Sequence, residues 1–217
     1  ILSYYVILKH SMPHLRKRHA VQKFELLATA SPLVGLLGHR QVGKTTFLEH
    51  HANAYLTLDD RDTLAEATRD APTFLSRLKI AGTAIDECQL CPDLFPAMKE
   101  RVRLRKTPGQ LYLSGSVRFT SRASIRESLT GRIMNIELLP MLLTELDGLD
   151  LPDLGPRALA SRSFSLHDLP QVKKGERARR LKLLKLYLSK GGLPGACFIR
   201  SDSLRRQRLL DQLETLL

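Results

Sequence analysis

Residues 33–47 read LVGLLGHRQVGKTTF. The first five, Leu33-Val34-Gly35-Leu36-Leu37, form an apolar run with the pattern of a buried strand. Gly38-His39-Arg40-Gln41-Val42-Gly43-Lys44-Thr45 then fits the spacing G-x-x-x-x-G-K-[ST] without a gap. Thr46, Phe47 and Leu48 open a helix. Strand, glycine loop and helix, in that order, predict a loop that cradles phosphate. Gly38 and Gly43 let the backbone turn tightly and bring N–H groups close to an anion. The helix N-terminus adds partial positive charge. The run Gly38, His39, Arg40, Gln41, Val42, Gly43, Lys44, Thr45 and Thr46 is the expected nucleotide-binding segment. Lys44 supplies a point charge for the β- and γ-phosphates, and Thr45 a hydroxyl for Mg²⁺.

A nucleotide hydrolase needs a carboxylate site after such a loop. Gly82-Thr83-Ala84-Ile85-Asp86-Glu87 is a short apolar strand ending in two carboxylates. Asp86 is expected to hold Mg²⁺ through water, and Glu87 to polarise the attacking water as general base. The next strand ends in Ser114-Gly115-Ser116. In a parallel sheet that end lies beside the other C-terminal strand ends, where a hydroxyl such as Ser114 senses the γ-phosphate, positions water, or simply closes a turn. Arg126 lies within a short helix over 124–129 and Arg132 just after it, and either is a candidate to stabilise charge on the γ-phosphate, in its own subunit or a neighbour's. Arg132 is expected near the C-terminal edge of the sheet.

Net charge is +12 and the pI is near 10.0, which implies attraction to polyanions without choosing among them. The basic runs 101–106, 118–126 and 173–185 are either nucleic-acid contacts or solvated helix faces. They lack the interleaved aromatics of a base-stacking surface. No run of apolar residues is long enough to span a membrane, and the opening ILSYYVIL lacks the features of a secretory signal. Three cysteines suit a reducing compartment, so the cytoplasm is expected. Cys88-Gln89-Leu90-Cys91 has neither a second ligand pair for zinc nor a thioredoxin-like setting, and reads as structural thiols. His50 and His51 read as exposed helix residues.

Apolar patterning predicts helices over 21–29, 46–52, 62–70, 73–80 and 92–105, and strands over 54–58, 82–87, 110–114 and 133–138. Asp60 or Asp62 is the expected cap of the third helix. Residues 152–170 are turn-rich, 175–189 form a basic amphipathic helix with Leu181, Leu184, Tyr187 and Leu188 on one stripe, 191–195 break it, and 201–217 form a last helix. Alternating strands and helices indicate an α/β sheet with a helical C-terminal part. The expected domains are a basic N-terminal segment, 1–31, a P-loop core, 32–147, and a helical part, 148–217. Starting at Ile1 and stopping within a helix-like run, the chain reads as a piece of a longer protein.

With these motifs in order, the chain resembles the AAA-related prokaryotic P-loop ATPases. They carry G-x-R-Q-V-G-K-T-T, D-E-x-Q, an S/T-G-S strand end and S-L-x-G-R, and usually continue into a C-terminal domain of unknown function. Here these are Gly38 to Thr46, Asp86-Glu87-Cys88-Gln89, Ser114-Gly115-Ser116 and Ser128-Leu129-Thr130-Gly131-Arg132. Leu56-Thr57-Leu58-Asp59-Asp60 resembles the family's second strand exit. His39 stands where the family often has Pro, Cys88 where an aliphatic residue is usual, and Gly195 where an acid is common. The resemblance implies ATP rather than GTP, and a P-loop NTPase three-layer sandwich. Its sheet would be a five-stranded parallel one in the order 5-1-4-3-2, followed by a small helical lid. Two functional classes follow. One is an Mg²⁺-dependent ATPase whose hydrolysis drives a conformational change, with nucleic acid, a protein partner or further copies of itself as partners. The other is a nucleotide-gated DNA- or protein-binding module with little turnover. A small-molecule kinase is disfavoured, because it needs no water-activating Glu87.

Overall fold

The computed structural model describes residues 15–115, 129–148 and 176–214. Five strands form its sheet: β1 (Leu33–Leu37), β2 (Ala54–Thr57), β3 (Thr83–Asp86), β4 (Leu111–Ser114) and β5 (Ile133–Glu137). The order is β2-β3-β4-β1-β5 and every pairing is parallel. This is the expected 5-1-4-3-2 order, read from the other edge. β1 lies between β4 and β5, with Leu33 opposite Leu111 on one side and Ile133 on the other. Being central, it is buried along its whole length, which is why it reads as an unbroken apolar run.

Helices α1 (Ala20–Ala30) and α2 (Lys44–His51) pack against the sheet, as do α3 (Arg61–Arg69), α4 (Ala71–Arg77) and α5 (Leu94–Leu104). Leu33, Ile85, Leu111 and Leu113 of the sheet form one cluster with Phe74 and Leu75 of α4 and with Leu94, Phe95 and Met98 of α5. The Phe24 ring of α1 instead stands edge-on to Phe47 of α2, 5.2 Å away, and to Tyr112 of β4, 4.7 Å away. Aromatic edge contacts of this kind add about 1 kcal/mol beyond area burial.

Capping sets the helix boundaries. Asp60, one of the two expected caps, accepts the Thr63 N–H at 2.9 Å and starts α3 at Arg61. Asp70 ends that helix and caps the next through the Thr73 N–H at 3.0 Å, so α4 begins earlier than the apolar pattern indicated and ends at Arg77. Of the helix expected over 124–129, only Leu129 is described, and it is buried. Gly131, at φ 72°, follows.

The chain divides into two compact units, one from residues of 20–139, the other from described residues of 15–19 and 140–214. The units therefore part at 19/20 and 139/140, against expected boundaries at 31/32 and 147/148. The reason lies in specific contacts: α1 is anchored in the sheet unit by Phe24, while Arg18 and His19 bind Glu145 in the other. Glu145 is 4% exposed and accepts from Arg18 Nε at 3.1 Å, His19 N at 2.7 Å and Leu142 N at 2.9 Å. In the same unit the break at 191–195 is a close approach: a Cβ on Gly192 would lie 2.3 Å from the Met141 carbonyl oxygen. One helical turn, Pro194–Cys197, follows. In the helix Glu176–Lys190, Tyr187 turns inward and donates to Met141 O at 3.1 Å, whereas Leu181, Leu184 and Leu188 are exposed. The helix Asp202–Glu214 ends the described chain.

Candidate nucleotide and metal site

β1 delivers the chain to Gly38 at the C-terminal edge of the sheet. Gly38 has φ 150°, and a Cβ there would lie 2.4 Å from the Leu138 carbonyl oxygen, so a side chain would push the loop off β5. Gln41 (φ 63°) and Gly43 (φ 94°) curl the loop into the left-handed region before α2 starts at Lys44. Gly43 is the N-cap and contributes no side-chain bond. The first-turn N–H groups have no intrahelical acceptor and receive no cap from Gly43, the setting in which a helix start binds an anion.

Lys44 is buried, and its Nζ donates to Gly38 O and His39 O, both at 2.9 Å. Burial lowers its pKa below the ordinary lysine value; the charges of Glu87 and Asp86 oppose that shift and Arg40 adds to it. The neighbouring Thr45 side chain is exposed at the loop mouth and donates to Asp86 Oδ2 at 2.7 Å.

Asp86 ends β3 and is 2% exposed. Its Oδ2 also accepts from the Tyr55 hydroxyl at 2.9 Å, and its Oδ1 accepts the Glu87 N–H at 3.0 Å. Burial, then the Asp86 charge, pushes the Tyr55 phenol far above its usual pKa. Glu87 sits at φ 52°, ψ 38°, left-handed backbone that strains a non-glycine residue by about 1 kcal/mol. That kink aims the carboxylate out of the strand line and starts the 3₁₀ turn Cys88–Leu90, from which Gln89 Nε2 donates to Glu87 Oε2. Asp59, past the end of β2, belongs to the same electrostatic group: burial, then the charges of Glu87 and Asp86, raises its pKa.

Ser114 ends β4 beside Leu36 and is fully buried. Its Oγ has no hydrogen-bond partner among the described residues. An orphaned hydroxyl is costly in a dry interior, and this one stands at the same sheet edge as the phosphate loop. Ser116, Arg126 and the basic run 118–126 lie outside the described residues.

Arg132 is elsewhere than expected. It directly precedes β5, and its carbonyl accepts from Leu33 N at 3.3 Å and from Ser31 Oγ at 3.1 Å. Leu33 is the first residue of β1, and parallel strands start at the same edge, so Arg132 sits at the N-terminal edge. A five-residue strand, about 16 Å, separates it from the loop. It is too far away to touch a nucleotide bound in its own subunit.

Cys88 and Cys91 are core residues and free thiols, as expected of structural cysteines. His50 Nδ1 pairs with Thr46 O at 2.8 Å, and His51 is exposed and leans on Phe47. In the run 101–106, Arg101 is structural rather than solvated: its guanidinium caps α4 through Leu75 O and Leu78 O. Among the described residues, no group of three or more His, Cys, Asp or Glu is arranged to hold a metal alone. One hydroxyl and one carboxylate suit an ion that takes its other ligands from water and substrate phosphates, which is the habit of Mg²⁺.

The sequence reading brought Lys44, Thr45, Asp86, Glu87 and Ser114 to one edge and missed Tyr55, Asp59 and Gln89 as members of the site. A signal for Tyr55 existed: β2 neighbours β3 in the expected order, and alternation puts Tyr55 on the face of Asp86.

A family profile described as an AAA domain matches residues 30–146. Uncharacterized proteins of Mycobacterium tuberculosis and Mycobacterium bovis are each 32% identical over 159 residues, covering 72% of this chain and 34% of their own. The chain thus spans about a third of the length of these relatives. Among solved structures, a signal transduction ATPase with numerous domains and a tetratricopeptide repeat sensor, from Pyrococcus horikoshii, aligns with TM-score 0.47 at 12% identity, over 86% of this chain and 29% of that one. PCH-2 of C. elegans aligns with TM-score 0.41 at 10% identity, over 92% and 66%. With the profile spanning more than half of its residues, the chain belongs to the AAA-related family of P-loop ATPases.

Proposed function

We propose that this chain binds ATP with Mg²⁺ and hydrolyses it, the reaction driving a conformational change. One observation carries the reading: the Thr45 hydroxyl on the phosphate loop donates directly to Asp86 at the end of β3. A hydroxyl whose proton is committed to a carboxylate turns its lone pairs outward, toward a cation. Thr45 and Asp86 would hold Mg²⁺, which supplies charge neutralisation on the β- and γ-phosphate oxygens. Lys44 exchanges its two loop carbonyls for phosphate oxygens, a favourable trade because the buried ammonium lacks a full counter-charge. The backbone of residues 38–46 cradles the phosphates.

Glu87 accepts a proton from the attacking water, its carboxylate steadied by Gln89. Ser114 offers its hydroxyl, which has no partner among the described residues, to that water or to the γ-phosphate. Arg132 acts in trans, on the nucleotide of a neighbouring copy, since its own edge of the sheet faces away from its own loop. That role implies a homo-oligomer. The basic helix Glu176–Lys190, largely exposed, supports contact with nucleic acid or an acidic protein partner. Buried free thiols support a cytoplasmic setting, and no described helix is long and apolar enough to cross a membrane. Phosphate release by the full-length protein, with and without DNA, tests the reading. ATP-dependent binding without turnover would favour the nucleotide-gated module instead.

A further inference from the structure

A carboxylate has four lone-pair sites, two on each oxygen. On Asp86 three are filled: Oδ2 by the Thr45 and Tyr55 hydroxyls at 2.7 and 2.9 Å, and Oδ1 by the Glu87 N–H at 3.0 Å. Among the described residues no partner takes the fourth site, on Oδ1. The side chain is almost wholly buried, so bulk water does not compete for the filled positions.

We propose that Tyr55 is a positioning residue that limits Asp86 to one open acceptor and thereby makes the site select Mg²⁺ over Ca²⁺. The inference rests on the ATP·Mg²⁺ reading above. Tyr55 pairs with Ala84 across the β2–β3 ladder, so its side chain leaves the sheet on the face of Asp86, on the diagonal. The phenol spans that diagonal and ends on the oxygen that Thr45 also holds. Thr45 alone would leave Oδ2 with a free lone pair, open to a cation gripping both oxygens.

The two cations ask different things of a carboxylate. Mg²⁺ is small, demands octahedral geometry and keeps its waters, so a single oxygen contacted directly or through water suffices. Ca²⁺ takes six to eight oxygens and often grips a carboxylate by both. To grip Asp86 that way, Ca²⁺ would have to displace Tyr55 or Thr45 from Oδ2. Mg²⁺, approached through Oδ1, displaces neither.

The test is equilibrium binding of a fluorescent ATP analogue to the intact chain in EDTA, in Mg²⁺ and in Ca²⁺. Wild type, Tyr55→Phe and Tyr55→Met are compared; both variants remove the hydroxyl and keep apolar bulk. Loss of an outer partner of a metal site costs about tenfold or more in metal affinity. The expected result is a Mg²⁺-to-Ca²⁺ affinity ratio about tenfold lower in both variants, with affinity in EDTA unchanged. An unchanged ratio overturns the proposal. So does equal weakening in all three buffers, or failure of both variants to fold, each of which makes Tyr55 a support of the edge strand. If the wild type binds no nucleotide in any buffer, the ATP reading itself fails, a result distinct from a wild type that binds and a Tyr55→Phe that discriminates as well.

Discussion

Lys44 folds back on its own loop: its ammonium donates to the carbonyl oxygen of Gly38, 2.9 Å away and six residues earlier. A second bond of the same length goes to His39 O. The charge is buried against neutral carbonyls, with Asp86 and Glu87 as nearby but incomplete compensation. Lys44→Ala should therefore abolish nucleotide affinity or turnover. Unchanged ATP binding and hydrolysis in that variant would remove the phosphate-loop assignment.

The same burial has a pH signature. The folded pKa of Lys44 is lowered, so the unfolded chain binds more protons in the interval between the two values. From this group alone, nucleotide-free stability should rise with pH in the window just below the ordinary lysine value of about 10.4, while nucleotide affinity falls there. Lys44→Met should lose this part of the pH dependence. Parallel thermal melts of the two proteins from pH 8 to 10.5 measure it.

Glu87→Gln should still bind ATP·Mg²⁺ but turn it over slower by about two orders of magnitude or more, the scale of a lost general base. Asp86→Asn should instead shift the Mg²⁺ concentration needed for tight binding. Wild-type turnover in the first variant would mean that another group activates the water.

Arg132→Ala and Arg132→Lys should both lower turnover and leave ATP affinity and melting temperature nearly unchanged, because a planar guanidinium acts on transition-state charge and lysine does not copy it. If Arg132 acts in trans, mixing Arg132→Ala with Lys44→Ala should restore part of the activity, since each mixed interface can pair one intact loop with one intact arginine. No recovery on mixing, under conditions where the copies associate, would defeat the trans assignment.

Glu145→Ala should destabilise the chain by about 3 kcal/mol, the scale of breaking a buried ion pair and leaving one charge behind. Glu145 is the acceptor for Arg18 Nε, His19 N and Leu142 N, and desolvation already lowers the Arg18 pKa. Chemical denaturation measures the loss; a change within 0.5 kcal/mol, the range of an ordinary surface substitution, would mean that solvent replaces the bond.

DNA binding, where it occurs, should weaken steeply with salt and show little sequence preference, because the exposed basic helix offers phosphate contacts without stacking aromatics. Titrations at several salt concentrations check this. A salt-insensitive affinity would point away from the basic faces.

Local chemistry was enough to locate the phosphate loop, the strand before it and the Asp86-Glu87 pair. Each of these is a short-range pattern: glycines where φ is positive, an unbroken apolar run where a strand is covered on both faces, carboxylates where that strand ends. The strand order came from resemblance, because pairing between β1 and β5 joins residues about a hundred positions apart and leaves no mark within a window. Which edge of the sheet Arg132 occupies, which oxygen of Asp86 Tyr55 fills, and which arginine neutralises Glu145 were decided only by the tertiary structure. Those are matters of direction and long-range distance, and a residue's type and neighbours in sequence do not carry them. Arg132 shows this most plainly: its place in S-L-x-G-R is legible from the chain, but parallel pairing alone puts it at the start of a strand, on the far side of the sheet from the loop.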